Sequence, residues 1–239
     1  MGRSRGTLIA AIFTTQAAYM AADSRGTSPK SDGEQKLFKC GNVAFIGLAG
    51  TLINRATVWS NDQKDMLCQG EFRTNAVVAE FAREYPGDAS NAPNNLSRKI
   101  EELLNPYWKC FIEPCGQCYV RSNPSGIFCS IPILSWINGS PNLSELRFEH
   151  SMITAKLSQP VLKHYQIEVP DGFQKIQQWG GTVNTNGIDL SGDSEERVLQ
   201  VIESLYDRAI SVDPETIGGP VDIGRIDGNG LCWIRYKRI

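Results

Sequence analysis

Residues 5–27 read RGTLIAAIFTTQAAYMAADSRGT, two short apolar runs with a Gly-Thr step at one end and Asp23, Ser24 and Arg25 crowded at the other. A hydroxyl, a carboxylate and a guanidinium are groups that nucleophilic catalysis uses, and a threonine hydroxyl becomes a nucleophile only with a base in hydrogen-bond reach. Taken one at a time they are ordinary: a Thr opening a strand is a good β-former, and DSRGT makes a polar turn. A second candidate is KCFIEPCGQCY, which sets Cys110 near the Cys-x-x-Cys pair Cys115 and Cys118. A structural zinc site takes four ligands, usually from two such pairs, and no second pair or matched histidines follow, so no metal or cofactor is expected. His150 and His164 have no Ser or Cys motif beside them and read as structural.

The elements that would position these groups are legible in part. Residues 7–22 and 37–49 are apolar, rich in β-formers and broken by turn residues, and they read as strand pairs. Residues 71–85 place Phe72, Val77, Val78, Phe81 and Ala82 on one helical face, and 96–104 form a second amphipathic helix behind the polar loop PGDASNAPNN. Residues 108–185 read mainly as short strands. A third helix over 194–211, capped by Ser191 or Asp193, repeats Val198, Ile202, Leu205 and Ala209 at helical spacing. VDIGRI, a Gly-Asn-Gly turn and LCWIRY form a closing hairpin. Strands, two helices, strands, one helix and strands make an α+β chain with antiparallel sheets covered by helices.

Composition narrows the function classes. The chain has 239 residues, and its 24 basic and 26 acidic side chains are interspersed to a net charge of −2, so no nucleic-acid surface or polybasic membrane patch is expected. No apolar run approaches the roughly 20 residues of a membrane span, and MGRSRG is too short and polar for a signal peptide, so a cytoplasmic protein is expected. Seven cysteines are an odd count that fits free thiols in a reducing compartment. The sequons at Asn95, Asn138 and Asn142 then carry no weight.

GTLIAAIFTTQAAYMAADSRGT followed by EQKLFKCGNVAFIGLAG resembles the N-terminal region of a proteasome β-type subunit, in the N-terminal-nucleophile hydrolase superfamily. The resemblance is carried by residues 6–52 and, more loosely, by 194–239. It implies a four-layer αββα sandwich of two antiparallel sheets between helix layers, with 1–6 as a short propeptide-like segment and 7–239 as one domain. It also implies cleavage at Gly6–Thr7, with Thr7 as nucleophile and its own freed α-amine as base. Lys36 would be the cation that keeps the amine neutral, Asp23 would hold Lys36, Arg25 would brace the turn, and the N–H of Gly50 would meet the oxyanion. Asp213 and Thr216 are the nearest counterparts of a supporting Asp and Ser, with Ile217 as an apparent insertion. The pocket ahead of the cut bond would be lined by Gly26, Glu34, Leu48, Leu52 and Ala56, with Leu48 at its base. Such a base favours medium-sized apolar side chains, whereas Glu34 at the rim would recruit Lys or Arg.

The sequence departs from the family in two places. AGT stands where AGG is common, and no Gly-Ser-Gly segment is present; QQWGGTVNTNG, residues 177–187, is its nearest candidate. The expected activity is therefore a threonine-type endopeptidase acting on peptides or unfolded proteins inside a homo-oligomeric ring, with any ATPase or activator unassigned. An inactive scaffold subunit and a single-substrate amidase or transpeptidase are the alternatives.

Overall fold

The computed structural model describes residues 7–27, 30–59, 66–181 and 183–236, so Gly6 and the segment 1–6 lie outside the described residues. Strands β1 (Leu8–Phe13) and β2 (Ala17–Ala22) are buried at every position, as apolar strands covered on both faces are. Thr14 turns the chain between them, its hydroxyl accepting the Ala17 N–H at 3.0 Å. A short ribbon of β3 (Gly26–Thr27) and β4 (Lys30–Ser31) precedes the hairpin of β5 (Leu37–Cys40) and β6 (Ala44–Gly47), which β7 (Ala49–Gly50) continues. The hairpin of β8 (Ile53–Trp59) and β9 (Met66–Arg73) runs into helices α1 (Thr74–Glu84) and α2 (Ala92–Tyr107). A π-helical turn, Trp108–Ile112, and a 3-10 turn, Glu113–Cys115, lead to α3 (Gly116–Ser122). The long hairpin of β10 (Ile127–Ile137) and β11 (Ser140–Glu149) follows, then β12 (Val161–Tyr165), β13 (Lys175–Gly180), α4 (Glu195–Val212) and the closing hairpin of β14 (Asp222–Asp227) and β15 (Gly230–Arg235).

Two large antiparallel sheets result. One runs β13-β1-β2-β14-β15; the other runs β12-β11-β10-β6-β5, with β7 paired to β10. Val77, Val78 and Phe81 of α1 and Leu96, Ile100 and Leu104 of α2 pack with Ile46, Ile131, Leu146 and Phe148 of the second sheet. Val198, Ile202, Leu205 and Ala209 of α4 pack with Leu8, Ala10, Ile12 and Tyr19 of the first. A third cluster joins Ile9, Ala11, Phe13 and Met20 to Phe45, Leu134 and Leu143 across the two sheets. Antiparallel sheets with helices segregated along the chain make the architecture α+β.

Four sequence expectations are corrected. Phe72 belongs to β9, not to a helix: residues 71–73 are still extended, and Phe72 is buried by strand alternation, its ring 5.6 Å from that of Tyr107. Residues 108–122 are helical turns rather than strands, because Trp108 must reach into the core, where its indole N–H donates to the Ala155 carbonyl at 2.7 Å. The cap of α4 is Ser194, whose hydroxyl accepts the Arg197 N–H at 3.2 Å, rather than Ser191 or Asp193. The second helix is also longer than expected, since Pro93 fits its first turn, where no N–H is required.

The Trp108 indole also packs on His150, with ring centroids 5.7 Å apart, and Tyr119 meets the same imidazole edge-on at 5.1 Å. Burial pushes the His150 pKa down, so the folded state holds the neutral ring. Its stabilising contribution is present above the ordinary histidine value of about 6.5 and is lost as pH falls through the lower folded value, by up to about 1.4 kcal/mol per pH unit. His150→Phe should therefore flatten the acid limb of a urea-midpoint profile below about pH 6.5; an unchanged limb would assign acid sensitivity to other groups.

No helix among the described residues is long and apolar enough to cross a membrane. Among those residues no group of three or more His, Cys, Asp or Glu side chains is placed to hold a metal ion, and all the cysteines are free thiols.

Candidate active site

Strand β2 ends at Ala22, and the next residue turns its carboxylate inward. Asp23 is 1% exposed and serves as the hub of the site. Its Oδ1 accepts the Leu8 N–H at 3.0 Å, and its Oδ2 accepts the N–H groups of Arg25 at 3.1 Å and Gly218 at 3.3 Å. Lys36 reaches it from the residue before β5, with Nζ 3.1 Å from each carboxylate oxygen, and also donates to the Arg25 carbonyl. The two side chains are 1% and 0% exposed, so the pair is dry. Burial pushes the Asp23 carboxyl above its ordinary range, while the Lys36 ammonium and the N–H groups of Leu8 and Gly218 favour its ionised form. One carboxylate thus joins an ammonium to the backbone immediately after Thr7.

Thr7 itself is 2% exposed. Its carbonyl accepts the Gly181 N–H at 2.7 Å, in register with the Leu8–Gly180 pair of β1 and β13. Gly180 has φ +80°, and a Cβ there would stand 1.9 Å from the Thr7 carbonyl oxygen and 3.4 Å from Ala49 Cβ. Only glycine allows this approach. Ala49 of β7 stands beside the same glycine, and Gly50, at φ +99° and paired with Cys129, ends that strand. Residues 180–181 of the WGG run therefore abut Thr7, but they bring no side chain.

The loop after α4 closes the other side. Thr216 and Ile217 donate their N–H groups to the Asp213 carbonyl at 3.2 and 3.0 Å, Gly218 continues to Asp23, and the Ser24 N–H returns to the Gly218 carbonyl at 3.1 Å. Arg25 spans to this loop through the Pro214 carbonyl and is held from behind by Asp32, with Nε 2.6 Å and Nη2 2.9 Å from its carboxylate oxygens. Asp213 thus contributes its carbonyl, while the Thr216 hydroxyl is buried and unpartnered among the described residues.

No protein-family model matches this chain, and no curated protein matches its sequence.

Of the expected pocket residues, Leu48, Leu52 and Ala56 pack into one helix-side cluster, Leu48 fully buried. Gly26 is buried on β3, paired with Ser31, and Glu34 is half-buried, its N–H on the Ser24 carbonyl at 2.9 Å. A surface cavity of about 690 Å³ between the ends of α1 and α2, lined by residues such as Phe81, Tyr85 and Asn95, includes none of the expected site residues.

Sequence reasoning passed over a second buried carboxylate, Glu145, which accepts from Ser130, Tyr165 and, at 2.9 Å, Arg147. Ser130 is the β10 residue paired with Ala49, so this network braces the strand beside Gly50. Alternation along β11, with Leu143 and Arg147 on either side of Glu145, was the available signal, but a strand charge usually faces water. Hydrogen bonds hold its carboxyl below the ordinary range despite burial.

The close approach at Gly180 has a measurable cost. Gly180→Ala should destabilise the fold by about 2 kcal/mol or more, from positive-φ strain together with displacement of the Thr7 carbonyl. Chemical denaturation reads it, and a change under about 0.5 kcal/mol would mean that β13 does not press on Thr7.

Proposed function

We propose that this chain is an N-terminal-nucleophile hydrolase of the proteasome β type, a threonine endopeptidase matured by cleavage of the Gly6–Thr7 bond. The observation that carries the reading is the dry Lys36–Asp23 pair, whose carboxylate also holds the Leu8 N–H next to Thr7. In this reading the two large sheets and the helices packed on each form the four layers of an αββα sandwich.

The chemistry follows from the groups. The Thr7 hydroxyl attacks the scissile carbonyl as the freed α-amine takes its proton, giving an ester and, after that proton passes to the leaving nitrogen, a free amine product. An α-amino group titrates near 7.7–8.0 in the ordinary case, and the charge of Lys36, which shares Asp23 with the Leu8 N–H, would lower it toward neutrality, leaving a competent base at physiological pH. The Gly50 N–H meets the oxyanion, a contribution of about 3–4 kcal/mol in comparable sites. Water then hydrolyses the ester by the same proton route. With Leu48 at the pocket base, a fluorogenic panel of Leu, Phe, Arg and Asp ahead of the leaving group should rank Leu first and Asp last; a strong Asp preference would reject this pocket assignment.

The test is reaction with a peptide epoxyketone followed by peptide mapping, because that warhead needs a hydroxyl and a free α-amine on one residue. Adduct formation on Thr7 in protein lacking residues 1–6 is expected. The second reading, an inactive scaffold subunit of a ring, is favoured by Gly180 and Gly181, which set no hydroxyl beside Thr7. An intact N-terminus and no adduct would support it. Sedimentation as a ring-sized particle is expected under both readings, and a clean micromolar monomer would favour a single-substrate amidase.

A further inference from the structure

Helix α4 sends one polar atom into the first sheet. Tyr206 is 2% exposed, and its hydroxyl donates to the Leu8 carbonyl at 2.9 Å. The same carbonyl accepts the Asp23 N–H at 3.2 Å, so both of its lone pairs are occupied. On the other side of that residue the Leu8 N–H is on Asp23, and the preceding carbonyl, that of Thr7, is on Gly181. The main chain of Thr7 and Leu8 is therefore held in plane and in depth, and Tyr206 is the side chain that fixes its depth relative to α4.

We propose that Tyr206 is a positioning residue for the Thr7 nucleophile, a clamp that sets the Thr7–Leu8 backbone against the Asp23–Lys36 pair. This rests on the reading of Thr7 as nucleophile. The ring is anchored among Leu8, Ala10 and Ile223, which the helix and sheet bury together. Burial, with the carboxylates of Asp23 and Asp222 nearby, keeps the hydroxyl protonated and hence a donor. A loss of alignment at Thr7 acts on the step in which charge develops, not on the pocket that binds substrate, so it is expected in kcat and not in KM.

Tyr206→Phe keeps the ring and removes the donor. It should lower kcat about tenfold, the equivalent of about 1.4 kcal/mol, with KM within about twofold. Tyr19→Phe, at a buried tyrosine within β2 that pairs with Ile12, should leave both constants unchanged. Hydrogen exchange supplies the measurement that does not depend on activity: in Tyr206→Phe the Leu8 and Asp23 amides should exchange about tenfold faster, with the rest of β1 and β2 as in the parent. Unchanged exchange at those amides, or unchanged kcat in an active enzyme, overturns the proposal. Faster exchange in a protein that never labels at Thr7 supports the clamp and rejects the nucleophile.

Discussion

Lys36→Ala should lower the unfolding free energy by about 3–5 kcal/mol, because it leaves a carboxylate uncompensated in a dry site. The prediction follows from the 1% and 0% exposures of the pair, which Lys36 completes from the residue before β5. Restoring neutrality separates charge from packing: Lys36→Met combined with Asp23→Leu should recover part of that loss, since a buried pair replaced by apolar side chains is often tolerated. Recovery stays partial because the Leu8, Arg25 and Gly218 N–H groups lose their acceptor. Turnover should stay absent in both variants. Urea denaturation of the three proteins measures the first part, and a Lys36→Ala loss under about 1 kcal/mol would show that the pair is hydrated in solution.

Thr7→Ala should abolish turnover, by about 10⁴-fold or more as for removal of a catalytic nucleophile, and should leave the Gly6–Thr7 bond intact. Thr7 is buried rather than exposed, so the substitution also removes a packed methyl and a hydroxyl, and a stability loss of about 1–1.5 kcal/mol is expected beside the loss of activity. Thr7→Ser separates the two, because it keeps the hydroxyl and should keep processing. Intact-mass measurement reads processing, and a peptide substrate reads turnover. Turnover retained in Thr7→Ala would remove the nucleophile assignment outright.

The parts of the fold that were legible are those in which local preference and burial agree. The apolar runs of β1 and β2 and the heptad-like stripe of α4 appear where the pattern set them. The β8–β9 hairpin was missed because its strands carry Arg55, Thr57, Gln69 and Glu71, partly or fully exposed residues with no apolar alternation to follow. Phe72 was drawn into the following helix because it is apolar and close ahead of Val77, although a spacing of five residues sets the two well apart round a helix and only strand alternation accounts for its burial. Residues 108–122 defeated the reading for the opposite reason: Pro114 and Gly116 look like loop punctuation but fall at the starts of helical turns, where both are tolerated. Of the site, Asp23 and Lys36 were singled out by the resemblance to a proteasome β-type subunit, and their contact is present. Tyr206 and Gly180 were not found, since a tyrosine beside Leu205 reads as core and one glycine among many carries no sign of what its missing side chain makes room for.

The Asp23 hub draws on both ends of the chain. Leu8 and Asp23 lie in the first tenth or so, whereas Tyr206 and Gly218, which bond to Leu8 and to Asp23, arrive 198 and 195 residues later. A nascent chain that has exposed only β1 to β7 holds Thr7, Asp23, Lys36 and Gly50 but lacks the segments that bury and align them. Contacts of such long sequence separation form late, after most of the entropy of closing the chain has been overcome. On the reading proposed above, any chemistry at this centre waits for α4 and the loop after it: a polypeptide that stops short of Tyr206 and Gly218 carries Thr7, Asp23, Lys36 and Gly50 without the enclosure that aligns them.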